Sequence, residues 1–232
     1  QLPKIAAEFF GAGWSLAQLA DLVQDARAIG LARAADGAAW VTLTQAIEAA
    51  ARELRLVLAE AGLRPGQRMA LDRVPGRPGV AQQLDRLVAA LASLHQALQV
   101  NSGRDPELDA LAPRTEVLRT QVAAWAAALR LADAQGGAAS PALQDADTVR
   151  WLALSQHGAQ FQVTPLAPGD SFARVREQQP QAWILTSATL TVANRFDAFL
   201  ADIGLPEATT RRWDSPFDFA HQGLLYLPQP MP

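Results

Sequence analysis

The feature that most constrains the fold of this chain is a helical repeat of apolar residues that runs from Ser15 to about Ala134. Ser15 and Gln18 form a Ser-x-x-Gln capping box, which predicts that a helix starts there. Leucine, valine and alanine then recur at three- and four-residue spacing, which is typical of helices with one buried face. The repeat predicts four long helices, the first running from Ser15 through Ile29 and the others over residues 38–61, 80–100 and 114–134.

Short patterns in front of the fourth helix refine its start. Asp105, Pro106 and Glu107 form a helix-start pattern, and Pro113 is expected to break or kink the segment that follows. Four amphipathic helices with alanine-rich seams predict a helical bundle.

The spacing of the apolar residues changes to two after a stretch rich in Gly, Ala and Ser at residues 136–147, which is typical of a linker. Residues 149–155 and 160–166 bracket His157 and Gly158, and apolar and polar residues alternate in the second run, so this part predicts a β-hairpin. Asp170 or Ser171 is then expected to cap a short helix. Helices followed by strands make the fold class α+β, mostly α.

A sharp change of residue type stands at residues 182–190, Ala-Trp-Ile-Leu-Thr-Ser-Ala-Thr-Leu. The first four residues predict a short buried strand, and a helix that ends near Gly204 is predicted to follow. Strand, turn and helix in this order place Thr186, Ser187 and Thr189 at the carboxyl end of a strand, where open α/β sheets bind ligands.

Two interpretations of these hydroxyl residues come from the sequence pattern alone. They can cap the next helix as ordinary polar residues at a strand end. Alternatively Ser187 could be a nucleophile, but Leu185 and Thr189 stand where a Gly-x-Ser-x-Gly elbow needs glycines, so this is disfavoured. A third interpretation depends on the resemblance described below.

Composition excludes several kinds of chemistry. The chain has no cysteine, so it holds no disulfide, cysteine-bound zinc or iron–sulfur cluster of its own. His95, His157 and His221 do not have metal-ligand spacing, so no metal site is predicted. The only lysine is Lys4, preceded by Gln-Leu-Pro, so a Gly-x-x-x-x-Gly-Lys phosphate-binding loop is absent. No signal peptide or membrane-spanning run is recognisable, which predicts a cytoplasmic protein without membrane partners.

Residues 63–79 form an irregular, basic segment in a chain whose net charge is −3. It holds four arginines against the single acid Asp72: Arg64, Arg68, Arg73 and Arg77. One interpretation is a solvated loop without a ligand. The other is a local patch that contacts the phosphates of DNA.

Four sequence motifs together resemble one family of enzymes. They are Gln-Leu-Pro-x-Ile-Ala with an aromatic pair at residues 1–10, the strand ending Val-Thr-Pro-Leu at 161–166, Thr-Ser-Ala-Thr-Leu at 186–190, and Ser-Pro-Phe-Asp-Phe at 215–219 leading to residues 224–228. In order and spacing they resemble DinG/YoaA-type, XPD-like helicases of superfamily two. The match runs from just after the Asp-Glu-Ala-His box, expected upstream of Gln1, to the start of the second motor domain.

The resemblance implies a division of the chain. Residues 1–14 would end a first segment of a RecA-like α/β motor domain, and residues 15–147 would be a helical, arch-like bundle with its linker inserted into that domain. Residues 148–213 would return to the first motor domain, and residues 214–232 would begin the second.

The resemblance also implies the activity of a longer parent protein. The parent would use ATP and magnesium to move 5′ to 3′ along single-stranded DNA, as DNA-repair helicases of this family do. Thr186, Ser187 and Thr189 would be the motif that couples hydrolysis to movement. An iron–sulfur cluster, where the family has one, would be held upstream. The chain itself, without a phosphate-binding loop or an acidic box, is expected to bind no cofactor and to be inactive alone.

A non-enzymatic alternative stays open at this point. The helices and the hairpin could form an interaction or scaffold module, in which the hydroxyl residues cap a strand end and residues 63–79 are a plain loop. Protein partners cannot be named from the sequence.

Overall fold

The structure, a computed structural model, describes residues 12–134, 148–156, 158–166, 168–178 and 181–224. The first motif at residues 1–10, the predicted linker, His157 and most of the apolar run at residues 224–227 lie outside these ranges.

The described residues form helices and a small antiparallel sheet, which confirms the α+β class. The strands are β1 (Ala12–Ser15), β2 (Arg68–Ala70), β3 (Thr148–Leu154) and β4 (Ala159–Pro165). The long helices are α1 (Leu16–Arg33), α2 (Trp40–Glu60), α3 (Arg77–Val100) and α5 (Leu111–Ala134). Shorter helices are α4 (Pro106–Asp109), α6 (Pro168–Gln178), α7 (Asp197–Asp202) and α8 (Phe219–Gln222).

Side-chain caps start α1 and α4 where the sequence predicted, whereas the cap predicted at Asp170 or Ser171 is wrong, because α6 already begins at Pro168. Ser15 Oγ accepts a hydrogen bond from the Gln18 backbone N–H at 3.2 Å, and Gln18 Oε1 accepts one from the Ser15 N–H at 2.9 Å. Asp105 caps α4 by accepting a hydrogen bond from the Glu107 backbone N–H at 2.8 Å. The expected break near Pro113 is confirmed, because α4 ends at Asp109 and α5 begins at Leu111. Pro113 lies in the first turn of α5, where the N–H that proline lacks has no intrahelical acceptor.

The four long helices form the predicted bundle. α3 packs against α5 and α2, and α2 packs against α1. Leucines at helical spacing give α3 a buried stripe: Leu84, Leu87, Leu91, Leu94 and Leu98. Burial of each such side chain stabilises the fold by about 1.5–3 kcal/mol. Within the described residues, no helix has both the length and the apolar character needed to cross a membrane.

The sheet has the strand order β1-β4-β3-β2, and every neighbouring pair is antiparallel. The predicted hairpin is confirmed as β3 and β4, with Trp151 opposite Gln162. The irregular segment at residues 63–79 is partly ordered, since it supplies edge strand β2, which pairs with β3. Arg68–Ala70 is too short to show an alternation of apolar and polar residues, so only the pairing with β3 makes it a strand.

One aromatic cluster joins the sheet to the bundle. The rings of Trp14 in β1 and Phe161 in β4 stack with centroids 4.2 Å apart. Trp125 in α5 meets Phe161 edge-on at 5.2 Å. Residues on both sides of the predicted boundary at 147 therefore share one hydrophobic core. The division into motor and arch segments stays a prediction.

The strand predicted at residues 182–185 is wrong. Residues 181–187 have no regular structure, and the Ile184 side chain is 85% exposed. An apolar strand of this kind needs paired neighbours on both edges, and no described strand pairs with this segment. The helix predicted to follow is confirmed as α7, and Gly204, at φ +67°, ends it.

Candidate nucleic-acid interface and hydroxyl motif

The hydroxyl motif, Thr186 to Thr189, lies in an exposed turn. Ser187 Oγ accepts a hydrogen bond from the Thr189 backbone N–H at 3.2 Å and lies 3.2 Å from Thr189 Oγ1. A serine that bonds the backbone two residues ahead is a local turn former. Neither hydroxyl caps the next helix, because α7 begins after Phe196. No described histidine hydrogen-bonds Ser187, which counts against a nucleophilic serine.

A tight reversal follows the motif. Val192 and Arg195 exchange two backbone hydrogen bonds of 3.0 Å each, and the two residues between them both have positive φ: Ala193 at +50° and Asn194 at +64°. Positive φ is unfavourable for alanine, so this turn is fixed against a local preference. The chain thereby reverses direction between the motif and α7.

Three of the four predicted DNA-binding arginines lie on or beside edge strand β2. Arg64 precedes the strand, Arg68 is its first residue, and Arg73 follows it in a 3₁₀ turn. All three are exposed, and none of them forms an ion pair with a carboxylate in the described part of the chain. No carboxylate in the described ranges therefore neutralises their positive charge.

The fourth arginine, Arg77, is in a different environment. Its side chain is only 17% exposed, and its Nη1 donates a hydrogen bond to the Asp72 carbonyl at 2.7 Å. Its Nε lies 3.9 Å from Asp133 Oδ1 at the end of α5. Arg77 thus connects the start of α3 to the 3₁₀ turn and to α5, which gives it a structural role, and its contact with DNA stays a prediction.

One group of residues beside the arginines was missed from the sequence. The guanidinium carbon of Arg68 lies 4.8 Å from the ring centroid of Trp151 in β3. The Trp151 indole Nε1–H donates to Thr164 Oγ1 at 2.9 Å. The signal was the alternation in the hairpin, which puts Trp151 and Gln162 on the face opposite the buried Phe161.

Two residues of the bundle, Glu116 and Arg119 in α5, have pKa values that depart from their ordinary values. The hydrogen bond from Arg119 lowers the pKa of Glu116 below its ordinary value, and the same contact raises the pKa of Arg119. In the described ranges, no three side chains from His, Asp or Glu come together as metal ligands. The candidate interface at β2 and β3 therefore has cationic and aromatic groups, and no described contact joins it to the hydroxyl motif.

Comparison with known proteins gives two relatives of the same name. The chain is 28% identical over 232 residues to the ATP-dependent DNA helicase YoaA of Escherichia coli (strain K12), covering 100% of this chain and 34% of that protein. It is 26% identical over 235 residues to the ATP-dependent DNA helicase YoaA of Haemophilus influenzae, covering 100% of this chain and 33% of that protein. No family model matches the chain.

The chain spans about a third of the length of the curated relatives it matches. The similarity covers the helical part, the sheet and the hydroxyl motif alike, since all of the chain is aligned. The resemblance found from four short motifs is thus confirmed over the whole sequence: the chain is similar along its full length to a segment of these two DNA helicases.

Proposed function

We propose that this chain is the part of an ATP-dependent DNA helicase that contacts single-stranded DNA and couples ATP hydrolysis to movement along it. The helical bundle would be the arch-like domain, inserted into a RecA-like motor domain of the longer parent. The whole-length similarity to two ATP-dependent DNA helicases supports the class of enzyme.

The observation that carries the DNA-binding part is the edge strand with its unneutralised arginines. Arg64, Arg68 and Arg73 are exposed within ten residues of one another on a chain of net charge −3. A phosphate backbone binds such a local patch by releasing counterions, so the affinity should fall with salt. Guanidinium groups also bond phosphate oxygens in two places at once, which favours arginine for this role.

The proposal is tested by the salt dependence of binding to a labelled dT15 strand. Changing Arg64, Arg68 and Arg73 together to Ala should reduce the slope of log K against log salt by about 2, because each lost contact to a single strand contributes about 0.7. A matched control removes three exposed arginines elsewhere: Arg52, Arg86 and Arg211. An equal loss in both triple variants would indicate a general charge effect, and no binding by the unchanged chain would favour the helical interaction module.

ATP and magnesium belong, in this proposal, to sites that the chain does not complete. Its only lysine, Lys4, is not in a phosphate-binding loop. The chain alone should therefore release no phosphate from ATP above the level of buffer. Any iron–sulfur cluster of the parent would need cysteines from outside this sequence, because the chain has none.

We propose the coupling role for the exposed hydroxyls of Thr186, Ser187 and Thr189. A hydroxyl can both donate and accept, so it can exchange partners as the nucleotide state changes without becoming charged. Loss of one such bond costs about 1 kcal/mol, a several-fold effect. In the full-length parent, Ser187→Ala with Thr189→Ala should reduce unwinding more than ATP hydrolysis. A parallel fall in both activities together with a lower melting temperature would contradict the role.

A further inference from the structure

We propose that Trp151 and Arg68 form a stacking site for one base of single-stranded DNA on the outer face of the sheet. This inference rests on the proposed function and names a contact within it. The sequence analysis assigned Arg68 to phosphates and assigned nothing to Trp151.

The register of the sheet places both side chains on the face away from the bundle. Phe161, Leu152 and Met69 lie opposite one another across three strands, with Phe161 and Leu152 buried in the core. Side chains alternate along a strand, so Trp151 and Arg68 point to the other face. The indole is half-buried and the arginine exposed.

The Trp151 ring is held in one orientation. Its Nε1–H donates to Thr164 Oγ1 at 2.9 Å, which fixes the ring on one side. Arg68 lies over the ring at 4.8 Å, within the range of a cation–π contact. A pre-oriented aromatic ring with a guanidinium plane on it loses little entropy when a base is added to the stack.

Small residues lie beside the ring on the outer face of the sheet. The residues paired across the four strands at this level are Gly13, Gln162, Trp151 and Ala70, so glycine and alanine stand at the two edges. The Gln162 side chain lies flat across Gly13, because a Cβ at Gly13 would come within 2.6 Å of the Gln162 Cδ. Its amide can donate to and accept from the edge of a base, and the small residues do not rise above the ring.

Charge favours a nucleic acid as the occupant. Arg64 and Arg73 flank Arg68 along the chain, and neither pairs with an acid among the described residues. A strand whose base stacks at Trp151 would thus have its phosphates near guanidinium groups. Aromatic stacking between basic side chains is the usual way that single strands are held without sequence preference.

The test compares binding of the full chain to dT15 and to an abasic strand of the same length. Trp151→Leu should weaken dT15 binding about 5- to 100-fold, because one stacked base is lost, and leave abasic binding unchanged. Trp151→Phe should retain most of the affinity. Arg68→Lys keeps the charge but loses the stacking plane, so it should weaken dT15 binding with an unchanged salt slope and leave abasic binding unchanged, whereas a lost phosphate contact would weaken both. Trp213→Leu, at a tryptophan that is 78% exposed, is the matched control and should bind as the unchanged chain does.

The outcomes separate the inference from the function on which it rests. If Trp151→Leu binds dT15 as tightly as the unchanged chain, the stacking site is refuted and DNA binding stands. Equal weakening for dT15 and the abasic strand also refutes it, because the effect is then not on bases. No binding by the unchanged chain overturns both. Circular dichroism melts of each variant show whether the fold is retained, and Arg68→Lys decides the matter if Trp151→Leu does not fold.

Discussion

Arg77→Ala should destabilise the fold by about 2 kcal/mol. The change removes a hydrogen bond of 2.7 Å from a charged donor to the Asp72 carbonyl, which is worth about 1.5–3 kcal/mol. The looser pair with Asp133, at 3.9 Å and half exposed, adds at most about 0.5 kcal/mol. Removing a cation from the first turn of α3 returns about 0.5 kcal/mol, because the helix dipole disfavours it there. Together these leave about 2 kcal/mol.

Arg73→Ala is the matched comparison, four residues away and exposed. It should change stability by no more than about 0.5 kcal/mol. Urea unfolding followed by helical circular dichroism measures both, and a loss of 2 kcal/mol should appear as a melting temperature about 4–8 °C lower. The salt dependence of DNA binding should show the reverse order of effects. Arg73→Ala should lower the slope of log K against log salt by about 0.7, and Arg77→Ala should leave that slope unchanged. Similar stability losses in the two variants would refute the structural assignment of Arg77.

Two further predictions concern the bundle. Gly30→Ala should destabilise the fold by about 1–2 kcal/mol in urea unfolding, because its Cβ would lie 2.7 Å from the Trp40 Cγ and overpacking outweighs the gain in helix propensity. Gly79→Ala is the control: its Cβ would meet Val57 at 3.8 Å, so the change should be neutral or stabilising. Because Arg119 lowers the pKa of Glu116, the stability that this contact adds should be present at pH 6 and lost as the pH falls through that lowered pKa. A difference in the free energy of unfolding between the unchanged chain and Glu116→Gln that persists at pH 2 would contradict this prediction.

Local chemistry explains why the helices and the hairpin could be predicted. Ser15 with Gln18, and Asp105, satisfy helix N-termini from within three residues, so no distant contact is needed to find the starts. Leucine spacing in α3 and alternation in β4 report their buried faces directly. The ends moved by a few residues, as α3 begins at Arg77 rather than at Val80.

Long-range pairing decided the elements that the sequence did not predict. β2 is a strand because β3 lies beside it, and nothing in Arg68–Ala70 alone indicates this. The opposite holds for residues 182–185, whose composition suits a strand but which pair with no described strand. The candidate site was therefore partly predictable: charge marks the arginines, and the hairpin pattern places Trp151 on the outer face. Only the pairing of β2 with β3 shows that Arg68 lies over Trp151.

The arginines of β2 have a second explanation, which the proposed variants distinguish. β2 is an edge strand, and exposed charges on an edge discourage another chain from adding to the sheet. That role needs only charge, and lysine fulfils it as well as arginine does. Stacking on Trp151 needs the planar guanidinium, which an ammonium group cannot supply. Arg68→Lys therefore preserves edge protection while it removes the stack. A loss of dT15 affinity in a variant that stays monomeric and keeps its salt slope would assign Arg68 to the DNA strand rather than to the defence of the edge.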